Sequence, residues 1–377
     1  MTATVSPSSA GPMLRRGRSG EDVLLRVAVT GGALAILGML ATLVLVLFVA
    51  ALPSMRRFGP AFLFSSEWRP NALPVLKLDG HGHTIRDPRT AMKVVDHYRA
   101  PAFGAGASLF GTVATSTWAL LLAVPLSLGA ALFLVRIAPV WLVPFVSFLI
   151  EFLAAIPSIA YGLWGMFVLG PWMGGPARWV RVLGMQLPAG IESRIGALAI
   201  HVPGLRWICT TSVGGKTVLV PPTGRDIFVA GIILGIMIVP IITAISRDVL
   251  RSVPREQMEG TIALGATWWQ SCREMIFYCR SALFGAILLG LARAAGETMA
   301  VLMVMGNTAA VPTSPFMAGT TLSATLAGEF PEAATSDLQR GALMEVALIL
   351  LVMSLVFNIV ARYLVIGKWQ PSAATAH

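Results

Sequence analysis

Two ionisable residues, Arg293 and Glu297, interrupt the apolar stretch 281–306. They are four positions apart, a spacing that places two residues on one face of a helix. Ionised groups at the centre of a membrane-spanning helix cost roughly 2.5–3.5 kcal/mol each, so this face requires a bundle interior or a wet cavity. A planar guanidinium suits a tetrahedral oxyanion. We interpret Arg293 as an anion contact that Glu297 orients and balances; an intrahelical ion pair that only fixes packing is the alternative.

Two further acids lie at or near membrane depth. Glu151 falls in the apolar stretch 141–170, and Glu345 falls near the start of another, 342–365. Either carboxylate is a possible partner for Arg293 across a helix bundle, and Glu345 is equally compatible with the headgroup region. With Arg293 and Glu297 they complete our set of candidate residues for the path of a polar solute.

The composition places these residues in a membrane. Of the 377 residues, 56% are hydrophobic and only 12% are charged, about half the charged fraction of an average soluble domain. The apolar runs are long and continuous, which indicates helices and not the alternating strands of a barrel. We assign the net charge of +10 to basic loops beside the membrane and expect no nucleic-acid partner.

The hydropathy pattern predicts an all-α membrane protein with about six spans, each meeting the requirement of about 20 apolar residues. The predicted spans are 27–52, 108–135, 141–170, 227–246, 281–306 and 342–365. The corresponding division of the chain is a tail 1–25, a first helix 26–52, an external loop 53–106, a core domain 107–366 with an external loop 171–226 and a cytoplasmic loop 247–280, and a tail 367–377.

The basic residues that precede the first span predict a cytoplasmic amino terminus, and an even number of spans returns the carboxyl terminus to the same side. Pro157 and Pro240 lie inside predicted spans and should kink or break their helices. Segment 308–328 is uncharged, but its prolines and hydroxyl residues favour an external loop with a short helix.

The polar segment 254–278 separates two spans. Pro254 suits the start of a helix, Gly265 interrupts the helical pattern, and a second helix follows it. We predict two short helices joined by a glycine turn, which together form a docking site for a partner on the cytoplasmic face. An interfacial helix anchored by Trp268 and Trp269 is a compatible alternative.

Glu259, Gly260 and Thr261, followed by Gly265, resemble the EAA loop of ABC importer permeases. The resemblance implies a coupling helix that sits in a cleft of a separate ATPase subunit. In that family an apolar pair and Leu-Pro end the motif, whereas Met275–Tyr278 occupies this place here.

Longer stretches resemble the C-type permease subunits of Pst phosphate importers, over most of residues 25–366: FLFSSEWRP (62–70), EFLAAIPSIAYGLWGMFVLGP (151–171), GLARAAGETMAVLMVMGN (290–307) and parts of 321–350. The resemblance implies a type-I, MetI-like core with one extra amino-terminal helix in a bacterial inner membrane, and a role for Arg293 and Glu297 in phosphate movement. It also implies a second, different permease chain, an ATPase dimer that binds ATP and Mg, and an external phosphate-binding protein. The chain itself would be neither an enzyme nor a cofactor protein.

Several alternatives stay open. Arg293 would suit molybdate, sulfate or phosphonate as well as phosphate, and Glu297 would suit an ion-coupled secondary transporter. The segment Gly215–Thr217 resembles the end of a nucleotide-binding loop but lacks its first glycine, and Asp79, His81 and His83 are too loosely spaced to predict a metal site. The segments 72–103 and 171–226 are insertions without an assigned role.

Overall fold

A computed structural model describes residues 20–71, 73–76, 95–173, 210–213, 216–219 and 224–366. These residues are mostly helical. The helices are α1 (Gly20–Phe58), α2 (Ala61–Phe64), α3 (Gly106–Arg136), α4 (Leu142–Ala155), α5 (Ser158–Trp164), α6 (Gly170–Met173), α7 (Ile227–Arg251), α8 (Arg255–Ala263), α9 (Trp268–Tyr278), α10 (Arg280–Ala295), α11 (Met299–Val304), α12 (Leu322–Glu329) and α13 (Asp337–Ile366). A π-helical turn (Gly165–Leu169) joins α5 to α6, and a 3₁₀ turn (Glu332–Thr335) precedes α13.

Two short antiparallel hairpins accompany the helices. Strands β1 (Leu73–Leu76) and β2 (Val95–Arg99) pair with Leu73 opposite Arg99. Strands β3 (Thr210–Val213) and β4 (Lys216–Leu219) pair with Thr210 opposite Leu219. Both hairpins lie in the predicted external loops, so the expected all-α class holds for the membrane part and the loops add small sheets.

Four single helices are long and apolar enough to cross a membrane, and two bent helix pairs raise the number to six if each pair is one span. The single helices are Leu24–Phe58, Gly106–Arg136, Ile227–Arg251 and Asp337–Val360. The pairs are Leu142–Ala155 with Ser158–Met173, bent by 87°, and Trp268–Tyr278 with Arg280–Ala295, bent by 69°.

The two prolines in the predicted spans have different outcomes. Pro157 lies between α4 and α5 at the 87° bend, which confirms the predicted break. Helix α7 runs without interruption past Pro240, so a break there is wrong. The predicted span 281–306 comprises two helices, because α10 ends at Ala295 and α11 begins at Met299.

The internal contacts of the chain fall into two compact units, residues 1–49 and 50–377. The first contains most of α1, whose apolar side chains from Leu24 onward are largely exposed. The second contains the remaining helices. The last turns of α1 belong to this second unit and pack on Gly341 of α13, where an added Cβ would lie 3.5 Å from the Ala50 carbonyl oxygen.

Small residues let the helices of the second unit approach closely. An added Cβ at Gly231 of α7 would lie 2.8 Å from the Trp118 Cβ of α3, and one at Gly290 of α10 would lie 2.7 Å from Ile242 Cδ1 of α7. Membrane helices pack through such small residues because lipid gives no hydrophobic drive for their association. Helix α7 therefore forms the centre against which α3 and α10 are held.

Candidate functional site

The break between α10 and α11 contains both residues that the sequence singles out. Arg293 lies in the last turn of α10, and Glu297 lies in the non-helical link before α11. The prediction that they share one helix face is therefore wrong. Gly296 weakens helix propagation at this point, and the Ser323 hydroxyl donates a 2.7 Å hydrogen bond to the Glu297 carbonyl oxygen.

The charges at the break have favourable positions. The cation of Arg293 lies at the carboxyl end of α10, and the Glu297 carboxylate oxygen Oε1 accepts from the Ala300 amide of α11 at 3.5 Å. Each charge thus lies at the helix end whose dipole favours it. No ion pair in the described part of the chain joins Arg293 to Glu297, which removes the packing-only ion-pair alternative.

Arg293 is exposed on the surface of this single chain, whereas Glu297 is partly buried. An arginine that faces lipid from a membrane helix is unfavourable, so its face requires water or another protein segment. The arrangement can therefore present an exposed guanidinium fork to a polar anion beside a half-buried carboxylate.

The structure does not bring Glu151 to Arg293. Its carboxylate on α4 lies 4.0 Å from the Arg247 guanidinium of α7, and the Arg247 Nε also donates to Asp248 at 3.1 Å. The Arg247 side chain is 14% exposed and that of Glu151 is 65% exposed. The predicted pairing across the bundle with Arg293 is wrong for Glu151, because α4 packs on the carboxyl-terminal half of α7.

Glu345 is buried and contacts α1. It is only 5% exposed, on α13, and accepts a 2.6 Å hydrogen bond from the Ser54 hydroxyl of α1. Its hydrogen-bond partner is therefore Ser54 and not Arg293, so the predicted pairing with Arg293 is wrong, and the predicted headgroup position stays a prediction. The arrangement instead attaches the last turns of α1 to the helix bundle.

A cluster of buried hydroxyl residues lies beside the break and was not predicted from the sequence. The Leu322 amide donates to the Thr112 hydroxyl of α3 at 2.9 Å, Thr321 caps α12, and the hydroxyls of Thr320 and Thr325 lie 3.0 Å apart. The run TTLSAT (320–325) was a visible signal. Through Ser323, this cluster holds the backbone at Glu297.

The predicted helix–turn–helix in segment 254–278 is confirmed. Helix α8 follows Pro254, Gly265 adopts φ +86°, and α9 begins after Thr267, which forms a capping box with Gln270. The turn leaves Leu264 90% exposed at its tip.

The four motif residues lie in this helix–turn–helix and have different environments. Glu259 and Gly260 are exposed on α8, while the hydroxyl of Thr261 lies 3.0 Å from that of Ser271 on α9. The Thr261 contact joins the two helices. Buried side chains of both, such as Met258 and Met275, belong to one core cluster with residues of α3, α7 and α10.

The joint between α9 and α10 bends by 69° without the proline of the related loops. Helix α9 ends at Tyr278, and the Cys279 amide donates to the Met275 carbonyl oxygen at 3.2 Å. The Arg280 guanidinium lies 4.0 Å from the centre of the Phe277 ring. The exposed rings of Trp268 and Trp269 lie on this helix and remain compatible with an interfacial role.

Some predictions concern residues outside the part of the chain that the structure describes. Asp79, His81, His83 and most of 171–226 lie outside the described residues. Within the described ranges, no group of three or more His, Cys, Asp or Glu side chains is arranged to hold a metal ion.

Comparison with known proteins gives consistent matches. Residues 118–367 match the family described as binding-protein-dependent transport system inner membrane component. The phosphate transport system permease protein PstC of Haemophilus influenzae is 35% identical over 90% of each chain, and that of Mesorhizobium japonicum is 33% identical over 91% of this chain and 89% of the relative. PstC 1 of Mycobacterium tuberculosis is 34% identical over 84% and 85%.

Among solved structures, the MetNI methionine ABC transporter in inward-facing conformations aligns over 69% of this chain and 94% of that chain. The sequence identity is 14% and the TM-score is 0.42, a likeness too low to compare individual residues.

Proposed function

Because this chain belongs to the family of binding-protein-dependent transport system inner membrane components, we propose that it is the membrane permease subunit of an ATP-driven importer of inorganic phosphate. The observation that carries the substrate assignment is the similarity to permeases of phosphate transport systems, at 33–35% identity along about nine-tenths of both chains. The exposed guanidinium of Arg293 at the α10–α11 break supports an anionic solute.

A second permease subunit, a different chain, would complete the path. Helix α4 has no buried residue, and the Glu151 side chain on it is 65% exposed. Arg293 is exposed as well. Because lipid is a poor environment for both charges, we assign a partner surface or a shared aqueous cavity to these faces. Phosphate would pass between the two subunits, with Arg293 as its contact and Glu297 limiting the net charge.

The segment from α8 to α9 would receive the force from a separate ATPase dimer that binds ATP and Mg. Exposed Leu264, at the turn after α8, would supply an apolar contact for the ATPase. Glu259 and Gly260 are exposed on α8 itself. ATP-driven closure of the ATPases would move this segment and open the permease pair outward, and hydrolysis would reset it inward. This chain contributes the transport path and none of the ATP chemistry.

The orientation follows from charge and from this docking. The α8–α9 segment and both termini would be cytoplasmic in a bacterial inner membrane, and the loops that contain the two hairpins would be external. An external phosphate-binding protein would deliver the anion to those loops. The positive-inside rule and the connection of α9 to the membrane helix α10 support this assignment.

The test is uptake of radiolabelled phosphate by cells that lack their own phosphate importers and express this chain with its partner subunits. We expect ATP-dependent uptake that excess sulfate or molybdate does not inhibit. Inhibition by those anions at equal concentration would favour another oxyanion as the substrate. Uptake that survives depletion of ATP but collapses with the proton gradient would instead favour a secondary transporter that uses Glu297.

A further inference from the structure

Helix α9 packs against the ends of three membrane helices. Its buried side chains Cys272 and Met275 belong to one apolar cluster with Leu132 of α3, Leu250 of α7 and Leu283 of α10. Leu132 and Leu250 lie close to the carboxyl ends of their helices, and Leu283 lies in the first turn of α10. In the proposed orientation these are the cytoplasmic ends, so α9 lies at the cytoplasmic boundary of the membrane.

The bend between α9 and α10 keeps the whole of α9 near this boundary. With 11 residues, α9 is about 16 Å long at 1.5 Å per residue. Because of the 69° bend, this length extends along the α10 axis by only about 6 Å. The headgroup region of a bilayer is roughly 5–7 Å deep on each side. Where α10 crosses the bilayer close to its normal, α9 therefore lies within the headgroup layer from end to end.

An exposed face of α9 alternates aromatic rings with arginines. Trp269, Arg273 and Phe277 follow one another at intervals of four, which places them on one side of the helix. The Arg280 guanidinium lies 4.0 Å from the centre of the Phe277 ring and extends this row. All four side chains are exposed, with 67% of Trp269 and 57% of Phe277 accessible. We call these four residues the α9 stripe.

The two arginines of the stripe carry charge that the described part of the chain does not neutralise. Neither Arg273 nor Arg280 forms an ion pair there. Glu274 is the acid of α9, but it lies one position beyond Arg273 and so points about 100° away around the helix. The stripe therefore presents two guanidinium forks between two aromatic rings and calls for an anionic partner that also has an apolar part.

Phospholipid headgroups of the cytoplasmic leaflet have this chemistry. A guanidinium binds a phosphate group through two parallel hydrogen bonds, and this leaflet is rich in anionic lipids. Tryptophan rings are favoured at the level of the headgroups. Arg280 is the first residue of α10, so its guanidinium lies where this membrane helix enters the bilayer.

We propose that the α9 stripe binds anionic phospholipids of the cytoplasmic leaflet, with their phosphate groups at Arg273 and Arg280 and its two rings at the edge of the acyl chains. The contact holds the coupling segment against the membrane. The competing occupant is the ATPase, because Leu264 of the turn borders the same groove as Arg273 and Phe277. The proposal uses the orientation given above and does not depend on which solute is transported.

The test is photo-crosslinking from the stripe in the complete transporter, in nanodiscs with equal amounts of phosphatidylglycerol and phosphatidylcholine. Trp269→p-benzoylphenylalanine supplies the crosslinker, and mass spectrometry identifies the adducts. We expect lipid adducts in which phosphatidylglycerol exceeds phosphatidylcholine. Adding Arg273→Gln should lower this ratio about fivefold, the contribution of one arginine near an anionic surface, and Arg273→Lys should retain most of it. Arg255→Gln, at an exposed arginine of α8 outside the stripe, is the matched control and should leave the ratio unchanged.

Two further measurements keep the proposal open to refutation. The same crosslinker at Leu264 should capture the ATPase and not lipid. Raising the ionic strength around the transporter with unmodified arginines should bring the lipid ratio toward one, because salt screens exposed charges; this arm needs no arginine variant to assemble. ATPase adducts from position 269, equal capture of the two lipids, or a ratio that neither Arg273→Gln nor salt changes would overturn the lipid site. These outcomes leave the proposed function intact, which the uptake assay tests separately.

Discussion

The turn at Gly265 allows a quantitative test of the coupling segment. Gly265 has φ +86°, and an added Cβ would have no atom within 4 Å. A substitution there therefore acts through backbone conformation and not through a clash. The left-handed region costs an L-residue roughly 1–2 kcal/mol, and a tenfold change in an equilibrium corresponds to about 1.4 kcal/mol. Gly265→Ala should thus reduce the ratio of formed to opened turn by about 5- to 30-fold.

The free-energy cost of a substitution at Gly265 should depend on which side chain is introduced. Asn tolerates a positive φ better than most residues, while β-branched Val tolerates it least, so the expected damage rises from Gly265→Asn through Gly265→Ala to Gly265→Val. Gly260 tests the opposite backbone effect, because it lies within α8 and an added Cβ there also has no neighbour within 4 Å. Gly260→Ala should stabilise α8 by roughly 0.5–1 kcal/mol.

The assay is the number of phosphate ions transported per ATP hydrolysed by the complete transporter in proteoliposomes. We expect ATP hydrolysis to continue in the Gly265 variants while transport falls in the order Asn, Ala, Val. Hydrogen–deuterium exchange at α8 and α9 should rise in the same order. A Gly265→Val transporter with the unmodified transport ratio and unchanged exchange would refute the role of this turn in coupling.

Substitutions at three further residues test other parts of the structure. Arg293→Gln should abolish phosphate uptake in a complex that still co-purifies with its partners, and Arg293→Lys should retain part of it because the charge remains but the fork is lost; normal uptake by Arg293→Gln would remove it from the path. Thr261→Val removes the 3.0 Å contact with Ser271 and should weaken the α8–α9 contact by about 1 kcal/mol, seen as faster hydrogen exchange in α9. Ser54→Ala leaves the buried Glu345 without its hydroxyl donor and should destabilise the protein by about 1–3 kcal/mol; a thermal midpoint equal to that of the unmodified complex would contradict this.

The local features of the coupling segment were predictable from sequence because each has a short-range cause. Pro254 and Gly265 mark a helix start and a turn through their own backbone restrictions. Pro157 interrupts its span for the same reason. Pro240 shows the limit of this reasoning, since α7 is continuous past it and is held from outside by its packing with α3 and α10.

The partners of the charged residues could not be predicted in the same way. Glu151 contacts Arg247 because α4 and α7 pack together, and Glu345 contacts Ser54, a residue 291 positions away. Such pairs depend on helix rotation and register, which spacing within one helix does not determine. The break at Glu297 likewise depends on a hydrogen bond from Ser323, 26 positions further along the chain.

Helix α10 joins the coupling segment to the proposed contact residue. It begins at the 69° bend with α9 and contains Arg293 in its last turn. Arg293 lies 13 positions after Arg280, a rise of about 20 Å at 1.5 Å per residue, so a 10° tilt at the bend would displace Arg293 by about 3.5 Å. That displacement exceeds the length of one hydrogen bond. A small rotation at the bend, driven by the ATPase, would then suffice to make or break the contact of Arg293 with an anion.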